Sequence, residues 1–303
     1  MLAHALTWQP DAPLQPLNLP WLHQAGVEVA VLRLDLLDAL ISGNKWFKLI
    51  GHLHTAVGTG AAGVVSLGGA HSNHLHALAA AGKRFGFATV GLLRGHEQLT
   101  PTVQDLHDFG MQLHWLGYGG YRQRHQADFW QPWQQRYPLL YPIAEGGGGL
   151  PGLEGCALLL PMVARQLASL GWDDYHGWWL AAGTGTTLAG LVSAEAGRRP
   201  VHGALAVPAD HGVTGNLERL LQSAAGYRLV DASRGGFAKL DAHLLAFIEA
   251  AERHAGVPLE PLYTGKALLA LHDAVSQDQF PPGTRLIFVH TGGLQGRRAL
   301  SRS

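Results

Sequence analysis

Strand-like and helix-like stretches alternate along the whole chain, which predicts an α/β fold with open, mostly parallel sheets. Three observations carry this: apolar runs of strand length, amphipathic stretches between them, and glycines at the joints. Residues 27–36 predict a strand. Residues 63–67 predict a buried strand, followed by a helix over 72–82. A strand at 88–93 precedes a helix over 103–109, and 111–116 predicts another strand. Residues 157–170 read as a helix, 177–182 as a strand running into a glycine turn, and 187–196 as the helix after it. Strands follow at 201–207, 227–231 and 285–290, with helices over 240–254 and 265–275 between them. The run Gly146 to Gly149, followed by Pro151, marks the expected domain boundary. No internal repeat is evident.

The 303 residues are 47% hydrophobic, enough for one large core or two smaller ones. Charged residues make up only 15%, with 22 basic balancing 22 acidic. No net field is therefore available to recruit nucleic acid or an anionic membrane, and a small molecule is the expected partner. The single cysteine, Cys156, excludes an internal disulfide framework and fits a reducing cytoplasm. Residues Met1 to Trp8 lack the basic and apolar regions of a secretory signal. No apolar run approaches the roughly 20 residues that cross a bilayer.

Three segments carry chemistry. In the first, Trp178 to Ala182 runs into Gly183-Thr184-Gly185-Thr186-Thr187, a strand, a glycine turn and a helix start. Free N–H groups and the dipole of a helix N-terminus suit a phosphate, and the threonines can add hydroxyl donors. Leu188 stands where a dinucleotide fingerprint needs its third glycine, and the Walker lysine is absent, so an isolated phosphate fits better. The plainer reading is a Gly/Thr-rich helix cap without a ligand. In the second segment, Ser42-Gly43-Asn44-Lys45-Trp46-Phe47-Lys48, the two lysines lie three apart and share a face of a helix start. Apolar neighbours Trp46 and Phe47 can desolvate Lys45 and make it nucleophilic toward an aldehyde, with Lys48 one turn on. Two solvated lysines on a surface helix would show the same spacing.

In the third segment, Leu67-Gly68-Gly69-Ala70 leads into His71-Ser72-Asn73-His74, again a strand, glycines and a helix start. Such a start can hold a substrate carboxylate by the physics of the phosphate turn. A nucleophile elbow is not formed, because no glycine lies two residues after Ser72. A zinc site could draw on His71, His74 and His76. With 18 histidines along the chain and no H-E-x-x-H or cysteine pair, no metal is expected. His52 and His54 read as packing or surface residues.

Taken in order, these segments, with Tyr263-Thr264-Gly265-Lys266 and His290-Thr291-Gly292-Gly293, resemble the 1-aminocyclopropane-1-carboxylate deaminase / D-cysteine desulfhydrase family. That family belongs to the tryptophan-synthase-β-like (fold type II) pyridoxal-phosphate (PLP) enzymes. The resemblance runs from about Asp35 to Gly296. It implies two α/β domains with the cofactor between them: a large one from 1–45 and 151–303, and a small inserted one from 46–150. It implies that Lys45 forms the Schiff base with pyridoxal 5′-phosphate and moves the α-proton. Asn73 would bond the cofactor's 3′-oxygen, Lys48 and Gly183 to Thr187 would hold the phosphate, and Thr291 would meet the pyridine nitrogen. Ser72, Asn73 and His74 would grip the substrate carboxylate, with Ser72 also a proton shuttle and Tyr263 an acid or base near the reacting carbon. A homodimer in the cytoplasm is the family expectation.

Two positions depart from the family pattern. An acidic residue commonly follows the tyrosine matching Tyr263, where it pairs with the pyridine nitrogen; here Thr264 stands there. A hydroxyl leaves that nitrogen largely neutral and weakens the electron sink that ring opening demands. β-Elimination asks less, because the leaving group takes the electrons. Phe237, in Arg234-Gly235-Gly236-Phe237, occupies a position that commonly carries a second active-site tyrosine. The sequence therefore predicts a PLP-dependent lyase or deaminase of a small amino acid, D-cysteine desulfhydrase-like. The alternatives are an aminocyclopropane-carboxylate deaminase and, from another class, a non-catalytic PLP- or phosphate-ligand-binding protein. The sequence leaves the role of Glu145 open.

Overall fold

Ten strands occur among the residues that the structure, a computed structural model, describes: 2–208, 211–221, 223, 225–236 and 238–300. They are β1 (Leu14–Pro16), β2 (Glu28–Arg33), β3 (Gly63–Gly68), β4 (Ala88–Leu93), β5 (Gln112–Trp115), β6 (Leu140–Ile143), β7 (Gly177–Ala182), β8 (Val201–Leu205), β9 (Tyr227–Asp231) and β10 (Arg285–His290). One sheet has the order β1-β2-β10-β7-β8-β9 and the other β5-β4-β3-β6. Every pairing is parallel except that of β1 with β2. The central strands β3 and β7 are buried along their whole length. That is why Val64-Val65 and Trp178-Trp179-Leu180 read as continuous apolar runs rather than alternating ones.

The chain divides into two compact units. One comprises Met1–Pro10, Asp38–Gly155 and Gln295–Ser303 and holds the four-stranded sheet; the other comprises Asp11–Leu37 and Cys156–Leu294 and holds the six-stranded sheet. The sequence reading puts the inserted segment at 46–150. The wider bounds follow from contacts of both chain ends. Trp8 packs edge-on against Trp46 with ring centroids 4.4 Å apart. Gln295 and Arg298 bond Asn73 and Asp105.

The strands expected at 88–93, 177–182, 227–231 and 285–290 form over those residues. The strand expected over 27–36 ends at Arg33, where a 3-10 turn, Leu34–Leu36, takes over. The helix expected over 157–170 is instead Leu150–Ala157, Leu159–Ala164 and a 3-10 segment, Leu167–Leu170. Pro161 explains the break: it has no N–H to give the carbonyl of Ala157, whereas Pro151 in a first turn costs no such bond. β1 and β6 escape a sequence reading because each is a short edge strand interrupted by proline, Pro16 and Pro142.

Within the smaller sheet's unit, the helix Lys45–Gly58 meets the helix Leu150–Ala157 at two glycines. A methyl group added at Gly51 would lie 1.8 Å from the Pro151 carbonyl oxygen, and one at Gly155 would lie 1.8 Å from that of Phe47. Only glycine permits this approach, and it sets the position of the helix that begins with Lys45. Gly51→Ala is expected to destabilise the protein by about 3 kcal/mol or more through overpacking against rigid backbone. Urea unfolding of purified protein measures this, and a change below about 0.5 kcal/mol would contradict the close crossing.

Candidate active site

In the four-stranded sheet, β4 and β5 follow β3 on one side while β6 lies on its other side, so the strand order reverses between β3 and β6. In the six-stranded sheet the reversal falls between β7 and β10. Ligands of open α/β sheets bind at such switch points, beyond the carboxyl ends of the strands. Ser72 and Asn73 follow β3, and Glu145–Gly147 follows β6. Gly183 to Thr187 follow β7, and Thr291 follows β10. The residues singled out in the sequence thus gather at two switch points.

At the first, Ser72 caps the helix Asn73–Phe85, its hydroxyl accepting a 3.2 Å hydrogen bond from the Leu75 N–H. Asn73 is half-buried; its Oδ1 accepts from Gln295 Nε2 at 3.0 Å. His74 is buried, so its contribution to a ligand would come from its backbone N–H. Its Nε2 lies 2.9 Å from Ser66 Oγ, and that hydroxyl donates to the Ile143 carbonyl at 2.9 Å. The Ser66 proton is thereby committed, so Nε2 carries the imidazole proton and donates. Burial first, then the nearby Lys45 and Lys48, hold the His74 pKa well below its ordinary value, and the ring is neutral.

Lys45 opens its helix and is half-buried, while Trp46 and Phe47 point into the core. Lys48, one turn on, is almost wholly buried, and its Nζ donates to the Gly146 carbonyl at 3.2 Å. His52 Nε2 bonds the Gly148 carbonyl at 3.0 Å. Gly147, at φ 72°, fits against Lys48 and the His74 ring, where an added methyl would come within 3.0 Å of Lys48 Cβ. The glycine run is therefore an ordered floor under these side chains, not a slack linker. Glu145 anchors it by accepting from Tyr121 Oη at 2.6 Å and Arg124 Nε at 2.7 Å. His71 is exposed, whereas His74 is buried. No group of three or more His, Cys, Asp or Glu that could hold a metal occurs among the described residues.

At the second switch point, Gly185 (φ 80°) precedes the helix Thr186–Glu195, which has no side-chain cap. Asn216 Nδ2 donates to the Thr184 carbonyl at 3.2 Å, and the Thr184 and Thr186 hydroxyls are 3.2 Å apart. A methyl on Gly183 would fall 3.0 Å from the Tyr263 ring, so the tyrosine lies over the turn. Glu260, which sequence reasoning missed, is buried and holds the Tyr263 backbone. Its carboxylate accepts from the N–H groups of Leu262 and Tyr263, both at 2.8 Å. Thr264 is buried as well, its hydroxyl accepting from the Glu260 N–H at 2.7 Å and donating to the Glu260 carbonyl at 3.1 Å. Thr264 is thus spent on the local turn, whereas Thr291, just after β10, is half-buried. Behind Thr291, His290 Nε2 donates to the Pro258 carbonyl at 2.6 Å and Nδ1 accepts from Gly292 at 3.2 Å. Lys266 Nζ holds the carbonyls of Ser233 and Gly236 at 2.9 and 2.8 Å. Phe237, next in the chain, lies outside the described residues.

A Pyrococcus horikoshii protein provisionally named 1-aminocyclopropane-1-carboxylate deaminase is 29% identical over 290 residues, covering 90% of this chain and 86% of its own. An Arabidopsis thaliana protein named as a bifunctional, mitochondrial D-cysteine desulfhydrase/1-aminocyclopropane-1-carboxylate deaminase is 27% identical, covering 97% of this chain and 78% of its own. A crystal structure of an ACC deaminase homologue superposes with a TM-score of 0.82 at 26% identity, covering 99% of this chain and 98% of its own. No family model matches. The chain is a fold type II pyridoxal-phosphate enzyme. It resembles the deaminase/desulfhydrase family over most of its length.

The residues present suit that cofactor. The amine of Lys45 could hold its aldehyde. The helix start at Thr186 offers backbone N–H groups to its phosphate. Asn73 Nδ2 makes no hydrogen bond among the described residues and could meet its 3′-oxygen. No helix among the described residues is long and apolar enough to cross a membrane.

The buried histidines make the fold acid-sensitive. Burial, with a smaller contribution from Lys48, lowers the His52 pKa from 6.5 to about 4. Between those values only the unfolded chain takes up the proton, so the stability is complete above pH 6.5 and declines as pH falls toward 4. In His52→Gln, which can keep the bond to Gly148, the fall in unfolding free energy over that window should be shallower by ~1.4 kcal/mol per pH unit. Urea melts at pH 7, 6 and 5 measure it; an unchanged slope would place the acid-sensitive proton elsewhere.

Proposed function

We propose that the protein eliminates the β-substituent of a small amino acid, D-cysteine being the model substrate, and releases a keto acid and ammonia. The observation that carries this reading is Thr264, bonded to the Glu260 backbone where the family's ring-opening members commonly carry an acid. The Glu260 carboxylate is itself taken up by two backbone N–H groups. Thr291 would then meet the cofactor nitrogen with a hydroxyl. That suits a reaction in which the leaving group accepts the electrons.

Bound pyridoxal phosphate supplies an electron sink for the bond cleaved at the substrate's α-carbon. The chain does the rest. Lys45 holds the cofactor and takes the α-proton at its Nζ. Lys48 and Gly183 to Thr187 secure the phosphate. The Ser72 hydroxyl and the backbone N–H groups of Asn73 and His74 orient the substrate carboxylate, and Ser72 passes a proton. Tyr263, over Gly183, donates a proton to the departing group. With D-cysteine the sulfur leaves with its bonding pair as sulfide, and water converts the remaining enamine to pyruvate and ammonia.

The second reading, cyclopropane ring opening, is favoured by the names of the relatives. Purified protein supplied with pyridoxal phosphate should release keto acid and sulfide from D-cysteine and little keto acid from 1-aminocyclopropane-1-carboxylate. The reverse preference would overturn the elimination reading, and no keto acid from a panel of D- and L-amino acids would leave a binding protein. Lys45→Ala should lose the visible band of bound cofactor and about a thousandfold in turnover. The family resemblance also supports a homodimer, and the lone Cys156 supports a reducing, cytoplasmic setting. Sedimentation at micromolar concentration should give twice the 32.4 kDa chain mass.

A further inference from the structure

The chain returns from the six-stranded unit to the four-stranded one at Leu294 and Gln295. There it places one side chain directly on a residue of the proposed site. Gln295 Nε2 donates to Asn73 Oδ1 at 3.0 Å. We propose that Gln295 is a positioning residue that sets the orientation of the Asn73 amide and so makes Asn73 a hydrogen-bond donor to the cofactor; this rests on the assignment of Asn73 to the cofactor's 3′-oxygen.

A carboxamide has a donor end and an acceptor end of nearly the same shape, and packing alone does not choose between them. A 3′-oxygen carrying negative charge can only accept from Asn73. Asn73 must therefore turn Nδ2 toward the cofactor and Oδ1 away from it. A donor on the far side favours this, and Gln295, which turns Nε2 toward Asn73, is that donor. Arg298, one turn on, pairs with Asp105, which also meets His76 Nε2 at 3.1 Å, and this holds the segment that carries Gln295 against the same unit. The Gln295 side chain meets Asn73 and no reacting atom, while its backbone carbonyl accepts from Arg298 Nε at 3.2 Å.

Donation to the 3′-oxygen favours the deprotonated cofactor–lysine linkage, so its loss raises the pH midpoint of the cofactor's visible absorption band. Four variants of the cofactor-loaded enzyme are titrated spectroscopically alongside wild type. Gln295→Leu, which leaves the Asn73 amide unoriented, should raise the midpoint by about half a pH unit. Gln295→Glu should raise it by about one unit or more, because a carboxylate draws Nδ2 to itself and turns Oδ1 onto the cofactor oxygen. Arg298→Ala, which loosens the same segment without touching the amide, should leave the midpoint unchanged. Asn73→Ala should raise it as Gln295→Leu does. Melting temperatures of all four establish that the titrated proteins are folded.

A midpoint that moves in Asn73→Ala but in neither Gln295 variant overturns the role of Gln295 and leaves Asn73 in place. A midpoint unmoved in Asn73→Ala removes Asn73 from the cofactor and the inference with it. Equal shifts in Arg298→Ala and both Gln295 variants would assign the effect to the segment and also overturn the proposal.

Discussion

The contact between backbones at Gly51 and Gly155 decides where the lysine helix lies, and the first half of the site follows from that placement. With the helix Lys45–Gly58 seated against Leu150–Ala157, Lys48 and His52 reach the carbonyls of Gly146 and Gly148. The loop they hold has a glycine at the point where a side chain would strike both Lys48 and His74. Glu145 ties the same loop to Tyr121 and Arg124 from the opposite side. Lys45 thus projects from an element fixed at several points by backbone, as the covalent anchor and base proposed for it would need.

The six-stranded unit holds three buried carboxylates around its switch point, each with its partners supplied. Asp35 is fully buried, yet Arg33 meets both of its oxygens, at 2.8 and 2.6 Å, beside the His290 that holds the turn of Thr291. Glu195 is buried at the far end of the helix Thr186–Glu195 and accepts from Tyr175, Trp178 and Arg199. Glu260 braces Tyr263 in the same manner. An unpaired buried carboxylate costs several kcal/mol, so each group is stable only in the one arrangement that satisfies it. These networks add little to net stability; they specify the loops between the strands and the reacting groups.

The fold was legible because parallel strands buried on both faces write themselves as uninterrupted apolar runs, as at Val64-Val65 and Ile287-Phe288-Val289. The helix starts were legible because glycine and hydroxyl residues stand where a strand must give way to a helix, as at Gly183 to Thr187 and Gly68 to Ser72. Gln295 and Gly155 were not, because each acts through a partner that folding alone supplies; Glu260 and Asp35 bond residues two or three positions away, but no pattern of residue types marks those bonds. Gln295 lies 222 positions from Asn73, and no local pattern in 295–298 points back to it. Glu145 stayed ambiguous for the same reason, its partners being a tyrosine and an arginine more than twenty positions earlier. Thr264 was legible as a departure from the family, but its commitment to Glu260 was not.

His74 shows how burial serves the chemistry. Its ring lies close enough to Lys45 and Lys48 for their charges to bear on it, and it is sealed from water. A protonated imidazole there would set a third positive charge beside two ammonium groups in a low-dielectric interior, and like charges so placed are strongly unfavourable. Burial prevents this, since a proton on Nδ1 would find no acceptor, and Ser66, whose hydroxyl gives its proton to Ile143 and takes the Nε2–H, fixes the neutral tautomer. The imidazole then contributes shape and a fixed dipole, and it would not compete for the anionic groups proposed to bind at the lysines and at the backbone N–H groups of Asn73 and His74. The lowered pKa values of His52 and His74 are therefore the cost of packing buried, uncharged imidazoles beside Lys45 and Lys48.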